Sequence, residues 1–147
     1  MKNALRAIAV GGCAVGVIDL TQAMILFGHK IPLAVAAGLI GRAAFKGGPA
    51  TYALGVFLHF FISCSAAAVY YIASRRLRFL VEYPLICGLF YGAAVDDVMN
   101  LVVLPLSALQ SRGPYRLHDL LLGVCVHMVT VGLPISYSVR HFAKETQ

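Results

Sequence analysis

Two neighbouring carboxylates interrupt a long apolar stretch in the second half of the chain. Asp96, Asp97 and Asn100 fall within an otherwise apolar run from Gly88 to Pro105. A charged side chain at the centre of a bilayer costs about 3 kcal/mol, so residues of this kind usually face the interior of a helix bundle and belong to functional sites. These three residues are therefore the first candidates for a polar site inside a membrane protein.

Other apolar runs carry polar residues at a similar depth. These residues are Asp19, His59 and His127. Each lies about eight to ten positions from the end of its run, or on the order of 13 Å at helical rise. Gln22 follows Asp19 by three positions, and Asn100 follows Asp97 in the same way, so each acid should share a helix face with an amide. The sequence predicts one polar layer at the bundle centre: Asp19, His59, Asp96, Asp97, Asn100 and His127, with Gln22 in a supporting position.

Three hypotheses account for this layer. In the first, each carboxylate bonds to an imidazole or an amide, and the layer only stabilises the fold. In the second, the layer handles protons or cations, as in a small transporter, because a histidine beside a carboxylate can exchange protons near neutral pH. In the third, His59 and His127 ligate a b-type haem, or bind a divalent metal together with the carboxylates.

The composition identifies the class of protein. The chain of 147 residues is 60% hydrophobic and 12% charged, with a mean hydropathy of +0.82, which is too apolar for a soluble domain. Four runs are each long enough to cross a bilayer, about residues 6–27, 51–73, 84–109 and 117–139. We therefore predict an all-α polytopic membrane protein, a four-helix transmembrane bundle that forms one integral membrane domain over residues 1–147.

The connections between the runs carry further information. A segment at about residues 32–46 is too short to span, and it is predicted to be a helix that lies in the membrane interface or dips in and returns. The short connection between the second and third runs predicts a tight antiparallel pair. The net charge of +6 comes from basic residues in such connections, which predicts contact with the lipid bilayer and not with nucleic acid.

The two halves of the chain show similar features in the same order, which favours two parallel-repeat helical hairpins. Each half has a glycine pair four residues apart, then an acid, a Gly-Pro break and a Gly-x-x-x-His sequence. The glycine pairs are Gly12 with Gly16 and Gly88 with Gly92. Such pairs allow close approach of helix backbones, and we expect the first and third helices to cross there.

Basic residues also indicate the orientation. Lys and Arg are more frequent on the side of the termini, where Arg75, Arg76 and Arg78 form a tight cluster, so both termini are predicted to be cytoplasmic. The chain has no GxSxG, Walker, dinucleotide-binding or HExxH motif, which favours a non-enzymatic role. An accessory role in a larger membrane complex is the alternative to proton or cation handling.

Several stretches resemble a known group of proteins. The runs GLIGRAAFKGG, LGVFLHFF, MNLVVLPLSAL and LLLGVCVHM are similar to those of small, uncharacterised bacterial four-span inner-membrane proteins. The second to fourth helices are also similar, more distantly, to the YagU-like family. The resemblance implies a helical fold, a location in the bacterial inner membrane and no assigned activity or catalytic residues. The small size of the chain is typical of a homodimer or of a subunit of a larger membrane complex.

Overall fold

The computed structural model describes residues 2–111 and 116–144, and the regular structure within these ranges is entirely helical. The first half of the chain forms α1 (Lys2–Phe27), α2 (Ile31–Ile40), a 3-10 helix (Gly41–Lys46) and α3 (Pro49–Ser74). The second half forms α4 (Phe79–Glu82), α5 (Pro84–Val98), a π-helix (Met99–Val103), α6 (Leu104–Leu106), α7 (Leu117–His127), a second π-helix (Met128–Gly132) and α8 (Leu133–Lys144).

Four stretches of helix are long and apolar enough to cross a membrane. We call them spans 1 to 4, in the order Asn3–Phe27, Pro49–Ser74, Pro84–Leu106 and Leu117–Ala143. The predicted all-α, four-helix membrane bundle is thereby confirmed. Span 3 ends before its predicted boundary because the backbone of Ser107 is extended, with ψ of 167°. The hydroxyl of Ser107 then accepts a hydrogen bond from the Leu109 N–H at 3.3 Å.

Glycines bring span 1 close to span 2. A Cβ atom on Gly12 would lie 2.6 Å from the Cα atom of Cys64, and one on Gly16 would lie 2.6 Å from Cε1 of Phe60. Gly12 meets Cys64 and Gly16 meets Phe60, so the residue numbers run in opposite directions and the two spans are antiparallel. They form the first hairpin.

A second set of glycines brings span 3 close to span 4. A Cβ atom on Gly88 would lie 3.1 Å from Cβ of Ser136, and one on Gly92 would lie 2.6 Å from Cα of Met128. Both glycine pairs therefore act within a hairpin, and the expected crossing of the first and third helices at these glycines is not observed. Glycine spacing indicates that a helix face permits close approach, but it does not specify which neighbour occupies that face.

The two hairpins meet differently on their two flanks. Spans 1 and 4 are in close contact, since the Ser138 hydroxyl donates a hydrogen bond of 2.9 Å to the carbonyl of Ala7. Spans 2 and 3 meet through Tyr91, whose hydroxyl donates to the carbonyl of Ala66 at 2.7 Å, while their backbones otherwise remain well separated. The expected tight pairing of these two helices is therefore not observed. Between the two spans, α4 packs on α8.

The segment between spans 1 and 2 covers one end of the bundle, which we call the α2 end. A Cβ atom on Gly55 would collide with the backbone of Pro32, at a level about 9 Å inside the first residue of span 2. The other end of α2 contacts the chain just after span 3, where the Ala108 N–H donates to the Gly38 carbonyl at 2.9 Å. The choice between an interfacial and a re-entrant helix stays a prediction.

The opposite end, which carries residues Asn3 and Ala143, is the termini end. The half of the bundle on this side contains a buried apolar cluster, formed by Ala7, Val15, Ala67, Tyr70, Val131, Ile135 and Val139. The Gly-Pro break predicted in the second half of the chain, Gly113 and Pro114, lies outside the described residues.

Candidate functional site

The first hairpin holds a pair formed by Asp19 and His59. Asp19 on span 1 is buried, and its Oδ2 lies 3.8 Å from Nε2 of His59 on span 2. Gly16 explains this position, because its missing side chain admits the ring of Phe60 and so brings the adjacent His59 toward span 1. Oδ1 of Asp19 accepts a hydrogen bond of 2.9 Å from the hydroxyl of Thr130 on span 4. The carboxylate thus connects three spans.

The second hairpin holds a similar pair formed by Asp96 and His127. Asp96 on span 3 is 3% exposed, and its Oδ1 lies 3.0 Å from Nδ1 of His127 on span 4. Nδ1 also lies 2.9 Å from the carbonyl of Gly123. Because a backbone carbonyl can only accept, Nδ1 must carry the hydrogen and Nε2 is left for another partner. Asn100 donates from Nδ2 to Oδ2 of Asp96 at 3.1 Å.

Two of the side chains that donate to the acids, those of Asn100 and Thr130, lie in π-helical segments. Asn100 lies in Met99–Val103 and Thr130 lies in Met128–Gly132. Pro105 and Pro134 follow these segments closely. A proline lacks the N–H of a regular helix and crowds the preceding turn, and a π-turn is one way for the chain to accommodate it. The prolines therefore help to set the directions in which Asn100 and Thr130 point.

Asp97 was predicted to belong to the polar layer, but in the structure it lies outside that layer. Its side chain is exposed, whereas the adjacent Asp96 is buried, because successive residues of a helix differ by about 100° in direction. Asn100 bonds to Asp96, four residues earlier, whereas the spacing of three suggested Asp97. Gln22 is half-buried on span 1, and its Nε2 is buried without a hydrogen bond.

Thr130 is the residue of the layer that the sequence analysis missed. Its hydroxyl donates to Asp19 and also lies 3.0 Å from the carbonyl of Val126 in its own helix. Threonine is tolerated in membrane helices because of this second kind of bond, so its presence alone carries little information. The available signal was its position three residues after His127, on the same helix face.

A cavity of about 510 Å³ adjoins the layer and is lined by all four spans and α2. Asp19, His59 and His127 are part of its wall. On the termini side it ends at residues of the buried cluster, such as Val15 and Val131. On the other side it reaches the surface between α2 and span 3, where the lining residues Leu39 and Val103 are 58% and 38% exposed. The layer is thus accessible from the α2 half of the bundle.

The structure also bears on metal binding and on the relation to other proteins. Within residues 2–111 and 116–144, no three His, Cys, Asp or Glu side chains are grouped closely enough to hold a metal ion.

No family model matches the chain, and neither a curated protein nor a solved structure matches it. The resemblance to small inner-membrane proteins therefore stays a prediction, and function has to be argued from the geometry of the site.

Proposed function

We propose that this chain is a proton- or cation-handling membrane protein of the transport type that acts through its two Asp–His pairs. The observation that carries this proposal is the position of the layer. Asp19, His59 and His127 line a cavity that reaches the surface in the α2 half, while the interior of the termini half contains the buried apolar cluster. An imidazole next to a carboxylate can accept and release a proton near neutral pH, and the cavity gives such a proton access from one side.

Unpaired polar atoms support handling over a purely structural layer. A layer that serves only stability is expected to satisfy its buried donors and acceptors, since each unpaired one costs about 1–3 kcal/mol. Nε2 of His59 and Nε2 of Gln22 are both buried without a hydrogen bond. His59 also lines the cavity, and its Nε2 lies 3.8 Å from Oδ2 of Asp19.

The direction of access follows from the proposed orientation in a bacterial inner membrane. The exposed Arg75, Arg76 and Arg78 lie at the termini end, which supports a cytoplasmic location for that end. The cavity then opens away from the cytoplasm. A two-hairpin origin is proposed as well, supported by the similar position of one Asp–His pair in each hairpin.

Proton flux into liposomes tests the proposal. The purified protein is reconstituted with a pH-sensitive dye inside the vesicles, and a potassium diffusion potential drives protons inward. We expect wild type and Asp97→Asn to conduct equally, because Asp97 is exposed and outside the layer. We expect Asp96→Asn, the same chemical change one residue away, to conduct at least about tenfold less. A side chain that transfers protons as a general acid or base typically raises a rate by about 10²–10⁴-fold.

Two outcomes would contradict the proposal. Wild-type flux no greater than that of protein-free vesicles would remove the transport function, and equal flux in the two variants would remove the role of the buried pair. The haem hypothesis is tested on the same preparation by a reduced-minus-oxidised absorption spectrum. A Soret band that disappears in His59→Ala/His127→Ala would replace proton handling with cofactor binding.

A further inference from the structure

We propose that the central cavity binds a lipophilic organic cation, with its charge beside Asp19 and His59 and its apolar part against α2 and span 3. This inference rests on the proposed function, because it assigns a ligand class to the same pair of residues. It is carried by the size of the cavity, the chemistry of its wall, the sign of its charges and its route of access.

The size and the wall of the cavity fit an organic molecule. Its volume of about 510 Å³ lies within the range of about 300–1,000 Å³ that is typical of pockets for drug-sized ligands. Most of its wall is apolar, including Ile31, Ala34, Val35, Leu58, Ile62 and Val103. A hydrated inorganic ion would meet these side chains without hydrogen bonds, at a cost in free energy. The wall therefore favours a ligand that is largely apolar.

The charges of the cavity fit a positive group. Asp19 lies on the wall, Asp96 lies behind His127, and no Lys or Arg is found among the lining residues that the structure describes. In surroundings of low dielectric constant, a carboxylate without a nearby basic side chain of fixed charge attracts a cation and repels an anion. The imidazole of His59, which pairs with Asp19, forms part of the same wall.

The route of access fits a ligand that dissolves in the bilayer. The exposed part of the cavity wall is formed by apolar side chains, with Leu39 from α2 and Val103 from span 3. A lipophilic molecule that approaches from the bilayer would meet these apolar side chains first.

Proton and cation should compete, which links this ligand to the proposed function. Asp19 faces His59 from span 2 and Thr130 from span 4, and the Asp96–His127 pair lies at the same level on spans 3 and 4. A proton held by the Asp19–His59 pair neutralises the charge that would attract the ligand. Binding of the cation is therefore expected to release a proton to solvent, and a lower pH is expected to weaken binding.

A pair of probes with matched shape and opposite charge tests the inference. Tetraphenylphosphonium and tetraphenylborate differ in the sign of the central charge, and isothermal titration with the detergent-purified protein measures both dissociation constants. We expect the phosphonium to bind at least about tenfold more tightly than the borate, a difference of about 1.4 kcal/mol. Asp19→Asn should weaken phosphonium binding by a similar factor, whereas Asp97→Asn should leave it unchanged.

A second variant covers the case in which Asp19→Asn does not fold. Gly38 lines the cavity, and a Cβ atom there would have only Ser107 Cβ, at 3.9 Å, within 4 Å. Gly38→Leu should therefore fill part of the cavity, leave both acids in place and weaken phosphonium binding. Equal binding of the two probes, or no effect of Gly38→Leu on phosphonium binding, would overturn the inference. Proton flux that persists without phosphonium binding would refute this ligand class alone, and binding without flux would refute the transport function alone.

Discussion

Replacement of Gly92 by alanine would place a methyl group against the backbone of span 4. The added Cβ atom would lie 2.6 Å from Cα of Met128 and 2.7 Å from the carbonyl carbon of His127. Carbon atoms in favourable contact are about 3.5 Å apart or more, so spans 3 and 4 would have to separate by about 0.8 Å. Because the opposing atoms belong to the backbone, rotation of a side chain cannot relieve the contact.

This separation should affect stability and the site together. Overpacking of this kind costs about 1–3 kcal/mol in free energy of unfolding. The distance between Asp96 Oδ1 and His127 Nδ1, now 3.0 Å, would increase to about 3.8 Å, beyond hydrogen-bonding range. We therefore expect Gly92→Ala to lower both the free energy of unfolding and the proton flux, although every polar residue of the layer is retained.

Reversible unfolding in mixed micelles, followed by circular dichroism, measures the free energy of unfolding. Gly38→Ala is the matched control, since Gly38 also lies within a helix and its added Cβ atom would have its nearest neighbour, Ser107 Cβ, at 3.9 Å. The control should be unchanged or more stable by up to about 1 kcal/mol, because alanine favours helix over glycine. If Gly92→Ala is as stable as Gly38→Ala, the close approach of spans 3 and 4 is wrong, and with it the position of His127 beside Asp96.

Three further changes test single hydrogen bonds by the same unfolding measurement. Thr130→Val should lower the free energy of unfolding by about 1–3 kcal/mol, because it leaves Oδ1 of the buried Asp19 without its hydrogen bond. Thr130→Ser keeps the hydroxyl and should retain most of this stability. Tyr91→Phe should cost about 1 kcal/mol by removing the bond between spans 2 and 3, while Tyr83→Phe, at an exposed position, should cost nothing measurable. Ser138→Ala should cost about 1 kcal/mol through the bond between spans 1 and 4, and Ser65→Ala, whose bond lies within its own helix, should cost less. Equal stability within any matched pair would contradict the corresponding contact.

The spans were predictable because hydropathy is summed over about 20 residues, and a few misplaced residues do not change such a sum. Their partners were not predictable in the same way. Gly12 and Gly92 both show that a face permits close approach, but a helix in a bundle has a neighbour on each side. Which neighbour occupies the face depends on how the spans are connected and packed in the whole bundle. That arrangement is not contained in the spacing of the glycines.

The depth of the polar layer followed from the rise per residue, whereas the direction of each side chain did not. Asp96 and Asp97 differ by about 1.5 Å in depth and by about 100° in direction, so counting residues from the end of a run cannot separate them. The structure separates them completely, with Asp96 buried beside His127 and Asp97 exposed. The π-helical segments add to this difficulty, because a wider turn shifts every later residue relative to the regular helical pattern.

Departures from the simplest rules of helix and core formation are concentrated at one level of the bundle. That level carries two buried acids, an unpaired imidazole nitrogen on His59, and two π-segments followed by prolines. Toward the termini end, the interior contains the buried apolar cluster and no buried acid among the described residues, which shows that this chain can form an ordinary core. If stability alone had determined the sequence, the polar level would be expected to resemble that core. Natural proteins break local rules mainly at functional sites, and the coincidence of several such departures around one cavity is therefore the strongest reason to assign the function there.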